Sequence, residues 1–498
     1  MATLQQDVSA EVKSPVRDLD ATKEIQKPDA LAAYAISLVH SFRESQFRDT
    51  RARSRRCFDY YNNQQWPKEV LAKMKEDKRP VVTFNEIRPK VDLIIGEERR
   101  NREDWVARPR EGSDENEANV RTALLKYIRD INMLHTDESR AFEDVVVGGF
   151  GGVLASLVKT EEMDSPLLKI EYRPWTEFCW DWNTKSRDFS DAQWMAVAVP
   201  VSLEKLQEMF PDAENQIGDE YYSLVNDPVQ PEIDLGERIG VSRYKDGDVR
   251  PDLFSKEGRQ LQAIEFYYRT TRKTPIARLF MPDGKVVERI IPQDNPEVKL
   301  MLEDLIKQGK AEKYTKRENV IAGAFIVGRM TLASWVSDFR GKTAFGVPMF
   351  PIFVSFASDT DNYITGIVES MLGPQDEVNK RWSMTVENYL HQARSGGVFE
   401  EGAFSNIEEV KKMWGSPGYW AQAKAGAIAG VKFKEHTAKP TDQALMLLFE
   451  HSERALDRVS NIEKARMGLS SQETSGVAIR QRALQSSLVH VKAFDNFR

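Results

Sequence analysis

Within Asp137–Val158, DESRAFEDVVVGGFGGVLASLV, the spacing of apolar residues changes its period over a few positions. Up to Val147 they recur as on a helix, and beyond Gly152 they run as a strand, so Gly148–Gly152 reads as a helix-to-strand turn. A chain that sets a helix directly against a strand is neither a pure bundle nor a pure sandwich, and an α+β class is expected. The same GGFGG invites a dinucleotide-loop reading. Position 154 is Leu where a third glycine is required. The order is also helix to strand, the reverse of that motif.

Residues 1–30 mix Pro, Asp, Lys and Ser without periodicity and are expected to form a mobile arm. From Leu31 one helix is expected, with Tyr34, Ala35, Leu38, Val39 and Phe42 on its apolar face. It continues through Arg43, Arg48, Arg51, Arg53, Arg55 and Arg56, either a solvated face or a patch for phosphates or an acidic neighbour. In 79–104, RPVVTFNEIRPKVDLIIGEERRNRED, VVTF reads as a buried run. Asn85 reads as an N-cap and Pro89 as a first-turn residue. The stripe Ile87, Val91, Ile94 and Ile95 should enter a core, and Arg99, Arg100 and Arg102 follow it. A second helix is expected over Asn116–Met133.

Residues 168–200 read as strands around a Trp-rich turn, in which Asp181, Asp188 and Asp191 have turn spacing rather than calcium-loop spacing. Residues 211–237 hold eight acids and no base, the pattern of an exposed, loosely structured rim. IEFYYRTT alternates, and IARLFMPDGKVVERII reads as two strands around Pro-Asp-Gly. Asp294, Asn295 and Pro296 start a helix that Gly309 stops. A basic strand-rich module runs from KAEKYTKRENVIAGAFIVGRM to GVPMFPIFVSFA, before helices over about 363–394, kinked at Pro374, and 441–466. The text ends mid-pattern at SLVHVKAFDNFR, as part of a longer chain would.

Totals narrow the function. A length of 498 residues allows roughly three domains. The 41% apolar content excludes wholesale disorder. With 77 acids against 70 bases the net charge is -7, which argues against a chain that grips nucleic acid over its whole surface. Cys57 and Cys179 form no CxxC, which excludes a disulfide framework and a Cys-rich zinc site and fits a reducing cytosol. No apolar signal core opens the chain, and the runs Val145–Val158 and Gly346–Ser358 fall short of the ~18 residues of a membrane span. An intracellular chain without membrane contact is expected.

Enzymatic motifs fail on inspection. Gly341-Lys342-Thr343 resembles a P-loop tail, but the first glycine would have to occupy position 336, which is Val. Asp283, Glu297 and Lys299 have the PD…ExK layout of metal-dependent nucleases, the main catalytic alternative. There, however, Asp283 falls at a hairpin tip and Glu297 in a first helical turn, where acids are favoured by the dipole alone. The six histidines show no ligand spacing. No catalytic residue, cofactor or metal is expected.

Several segments, in order, resemble the portal proteins of tailed double-stranded-DNA bacteriophages of the short-tailed, podovirus type. They are NNQQWPKEV, RPVVTFNEIRPKVDLIIGEERRN, WDWNTKSRDFSDAQW, IEFYYRTTRK, FGVPMFPIFVSF, GIVESMLGPQDEVNKRWSMTVENYL and GLSSQETSGVAIRQRALQSS…FDNFR, covering roughly 55–498. The resemblance implies a non-enzymatic, twelve-fold ring of identical chains at one capsid vertex, assembled in the host cytoplasm; a monomeric assembly adaptor is the non-catalytic alternative. DNA is packaged and ejected through it without sequence specificity. Partners would be the terminase large subunit, a tail or head-completion adaptor, and major capsid and scaffolding proteins. The implied multi-domain α+β architecture is a wing at 31–289, stem helices at 290–309 and 359–394, and a small β-rich clip at 310–358. Residues 395–498 would form tunnel wall, wing return and the start of a crown. Lys313, Lys316, Arg317 and Arg329 would be the clip's basic cluster facing motor, adaptor or DNA, or else exposed strand residues that discourage edge pairing. Arg99, Arg100 and Arg102 would sit at a subunit interface, where a ring contact favours mixed charge, or on a solvated helix end.

Overall fold

A computed structural model of the chain describes residues 28–77, 79–102, 104–109, 111, 114–158, 167–226, 254–255, 258–280, 286–290, 301, 304–306, 311–336, 342, 346–360, 363–393, 397–413, 421–427, 433–435, 443–462 and 490–497. Six helices come first: α1 (Pro28–Ser41), α2 (Arg48–Tyr61), α3 (Lys68–Glu76), α4 (Ile87–Arg100), α5 (Glu115–Ile131) and α6 (Leu134–Gly148). The single helix expected from Leu31 is broken by a π-helical turn over Phe42–Gln46. Phe42 and Phe47 stack there at 4.7 Å and both meet the Trp180 ring. The wider turn brings both rings into one core, which a regular helix would not.

Strand β1 (Phe150–Val158) follows α6 at once, as the period change predicts. The glycines between them answer steric demands. A Cβ on Gly151 would lie 2.4 Å from the Ala141 carbonyl oxygen, and one on Gly152 would lie 2.2 Å from that of Phe353. Close backbone approach from both sides, not a phosphate loop, dictates GGFGG.

The strands that follow are β2 (Leu167–Arg173), β3 (Phe178–Trp180) and β4 (Trp194–Ser202). Helices α7 (Leu203–Met209) and α8 (Glu214–Asn226) precede β5 (Phe254–Ser255), β6 (Gln260–Phe280), β7 (Val286–Ile290), β8 (Ala311–Val327), β9 (Met330–Val336) and β10 (Ile352–Phe356). A small sheet has the order β10-β1-β2, and a seven-stranded sheet has β3-β4-β6-β8-β9 with β5 and β7 also on β6. One apolar core joins both sheets to α1, around Phe42, Phe47, Phe150, Trp180 and Phe356. A second lies under α2, α4 and α6, where Phe494 and Phe497 pack on Phe142 at 5.3 and 5.1 Å.

Sheet membership crosses the boundary drawn at residue 310. β8 and β9 share the sheet of β4 and β6, while β10 pairs with β1, so strands on both sides of residue 310 belong to common sheets. The cause is the apolar run Ile321–Val327, which is mostly buried opposite Ala263–Arg269. The acidic stretch from 211 also differs from expectation. Within it α8 buries Ile217, Tyr221 and Leu224, a helical stripe that counting acids overlooks; 227–237 lie outside the described residues.

Beyond β10 come the short pair β11 (Ser358–Thr360) and β12 (Tyr363–Thr365), then a 3-10 turn over Val368–Met371 and the long helix α9 (Leu372–Ala393). Pro374 falls in the first turn of α9, where a missing N–H costs little, so it marks a helix start rather than a kink. Of the expected helix at 290–309, residues 301 and 304–306 are described, and they are helical. Next are β13 (Gly397–Phe399), α10 (Ile407–Met413), β14 (Phe433–Glu435) and α11 (Gln443–Ser460), the last shorter than the 441–466 expected.

Candidate functional site

The segment 79–102 is tied to distant parts of its own chain. VVTF is not a buried run: Val81, Val82 and Thr83 are half-buried and Phe84 is 47% exposed. Its backbone is held instead by one face of α9. Ser383 Oγ accepts from Val82 N at 3.1 Å, Asn379 Oδ1 from Phe84 N at 2.9 Å and Gln375 Oε1 from Glu86 N at 3.2 Å. Spacing of four along a helix aligns these three side chains, and alternate residues of an extended chain present their N–H groups to them. Asn85 Oδ1 accepts from Ile87 N and Arg88 N, both at 3.2 Å, so it caps α4 as expected. Ile87, Val91, Ile94 and Ile95 are buried, again as expected.

Lys90, beside them, is only 1% exposed. Its Nζ donates to Asp457 at 2.5 Å and to the Ile462 carbonyl at 3.2 Å, pinning α4 to the end of α11. Its sequence neighbours gave no sign of this, since the partner is 367 residues away.

The structure separates the three arginines that follow. Arg102 is enclosed by its own chain: it pairs with Glu98 and Glu138 and donates to Ser139 Oγ and the His135 carbonyl. Arg99 Nε donates to Ser139 Oγ at 3.1 Å, and Arg100 is exposed. They do not make one open patch, because the turn into α5 folds Arg102 back against α6.

A more distinctive surface lies on the large sheet. β6 and β8 pair without interruption from Ala263↔Val327 to Leu279↔Ala311. β4 accompanies β6 only as far as Tyr268, and β9 accompanies β8 only over 322–327. From Arg269 outward the two strands continue as an arm of roughly 35 Å, joined near its end by β7. Lys273 stands directly opposite Arg317, and Lys313, opposite Ala277, is on the same face. No acid occupies that face of β6 or β8 between Arg269 and Leu279 or between Ala311 and Ile321. Lys316 is on the opposite face, shared with Glu312, Glu318, Arg272 and Arg278. Arg329 is in the β8–β9 turn at the strand's other end, where its backbone N–H donates to Glu220 at 2.9 Å. Sequence reasoning therefore grouped four residues that three locations divide, and it missed Lys273, whose place depends on strand register.

The Asp-rich loop does turn chemistry. Asp191 accepts from Thr184, Lys185 and Ser186, Asp181 from Asn183 and Gln193, and Asp188 from Ser190. Arg269 closes the loop by donating to the Ala192, Pro348 and Phe189 carbonyls. Burial pushes the Cys57 thiol up to about 12, the condition of a packing residue. Among the described residues no group of three or more His, Cys, Asp or Glu is placed to hold a metal ion. Asp283, Glu297 and Lys299 lie outside the described residues. No helix among the described residues is long and apolar enough to cross a membrane.

Long-range polar clamps and a β arm that outruns its neighbouring strands, with Lys273, Lys313 and Arg317 on one face, point to a structural role. The family model of phage P22-like portal proteins matches residues 41–498, and the chain belongs to that family. Its function is that of a phage portal protein, a structural component of the virion capsid, and the nuclease alternative has no support. No curated protein matches it in sequence.

Proposed function

We propose that copies of this chain close into a ring, a dodecamer, at one capsid vertex, and that double-stranded DNA enters and leaves through its bore. The observation that carries this is the family match, which spans residues 41–498. The terminase large subunit and later the tail adaptor would dock on the ring, with capsid and scaffolding proteins around it. The wing at 31–289 less the strand residues of the arm described next, the stem at 290–309 and 359–394, and the tunnel wall with the start of the crown at 395–498 remain the division we favour.

For the clip we assign the role to the arm of 269–280, 286–290 and 311–321 rather than to 310–358 as a block, because only the arm leaves the body of the sheet. Its face of Lys273, Lys313 and Arg317 suits phosphates. The net charge of -7 over the whole chain keeps such contacts local. Each additional phosphate contact raises non-specific affinity, and a strongly gripping channel would brake a strand that must slide. Negative-stain electron microscopy of the purified chain at low and high concentration tests the reading. Rings with a hole wide enough for a duplex are expected, and monomers at every concentration, with scaffold supplied, would refute it.

A further inference from the structure

Helix α5 has apolar residues on two opposite sides. Ala118 and Leu125 turn toward the chain, where Ala118 is buried, and Thr122 Oγ1 on that side accepts from Ala107 N at 3.0 Å. Val120, Leu124, Tyr127 and Ile131 recur at spacings of four, three and four, which aligns them on the side facing away. These four are 68%, 54%, 51% and 47% exposed. At ~150–250 Å² for a large side chain they present on the order of 400 Å² of apolar surface. That is near the largest patch an ordinary monomer shows, and about half of one partner's share of a stable interface.

The rim around the stripe carries little net charge. Asn116, Ala123 and the exposed Asp130 border it on one side and the Glu117–Arg121 pair, 2.5 Å apart, on the other. A border whose one base is paired and which keeps a further acid is wrong for phosphates, and a four-three spacing suits another packed helix. A ring contact is heterologous, so each subunit needs a second, different face. A different surface among the described residues is an open groove of about 400 Å³ between α3 and α9, where Met74, Pro80 and Met384 lie among five charged side chains. It adjoins the segment leading into α4, whereas α5 meets the chain beyond the C-terminal end of α4, where Glu138 of α6 pairs with both Arg129 of α5 and Arg102. The length of α4, ~20 Å, separates the two faces.

We infer that the outward stripe of α5 is a subunit interface, packed against a neighbouring copy of this chain. The inference rests on the ring reading above and relocates the contact from Arg99, Arg100 and Arg102 to Val120, Leu124, Tyr127 and Ile131.

The test is the double variant Leu124→Glu/Tyr127→Glu of the full chain, compared with the wild type by sedimentation velocity. Both side chains are exposed in the single chain, so its circular dichroism and melting temperature as a monomer should stay near those of the wild-type monomer. Assembly should weaken by at least ~100-fold, as expected when two central apolar anchors are replaced by charge. A photo-crosslinking residue at position 124 should give adducts between chains. Rings formed by the variant at wild-type concentrations, or adducts only within one chain, would overturn the inference while leaving the ring reading intact. A wild-type chain that never assembles would overturn both.

Discussion

Asp144 shows how much one buried residue can decide. It is 5% exposed and accepts from Tyr172 OH at 2.8 Å and Trp175 N at 3.1 Å. Burial raises its pKa from 3.8 to about 8, outweighing those two hydrogen bonds. Between these values the unfolded chain has lost the proton and the folded chain keeps it. The stability it contributes is therefore complete below about pH 4 and is lost as pH rises toward 8. Asp144→Asn cannot ionise, so thermal melts should show wild-type stability declining relative to the variant from pH 5 to pH 8. Lys90 is the complementary case. Lys90→Met should cost about 2–3 kcal/mol in denaturant titrations, below the ~3–5 kcal/mol for a fully buried pair, because Asp457 retains 22% exposure. Neither residue announced itself: Asp144 reads as an ordinary helix acid, and Lys90 as a solvated lysine.

At the scale of elements, local chemistry was readable wherever the element's own residues settle it. Asn85 as a cap, the stripe of α4 and the Asp-rich turn all follow from contacts within a few residues. Expectations failed where a distant element intervened. VVTF has the composition of a buried strand, yet its N–H groups are taken by Gln375, Asn379 and Ser383 of α9. The helix from Leu31 breaks at Phe42 because an aromatic core contributed by Trp180 and Phe150 captures two rings at once. GGFGG combines both lessons: the turn was legible, the reason for its glycines was not. Gly151→Ala should destabilise the chain by about 2–3 kcal/mol, measured by chemical denaturation, since the Cβ would meet backbone that cannot move aside.

For the whole molecule the decisive feature is the pairing of β6 with β8. It sets Lys273, Lys313 and Arg317 on one face and sends Lys316 and Arg329 elsewhere. Replacing Lys273, Lys313 and Arg317 by Glu should reduce the salt dependence of duplex DNA binding by up to ~3 in logarithmic slope. The same change at Lys316 and Arg329 should matter much less, and fluorescence anisotropy across a salt series separates the two. The sequence by itself determined the α+β class, the caps and turns, the failure of the dinucleotide and P-loop motifs for want of a glycine at 154 and 336, and the colinear segments that resemble a portal protein. Those depend on residue type and short spacing, which a linear text preserves. Only the tertiary structure decided which charges share a surface, which lysine is buried and which helix keeps an apolar side uncovered. Strand register and partners hundreds of residues apart fix those outcomes, and a one-residue slip in register would turn every side chain of the arm to its other face.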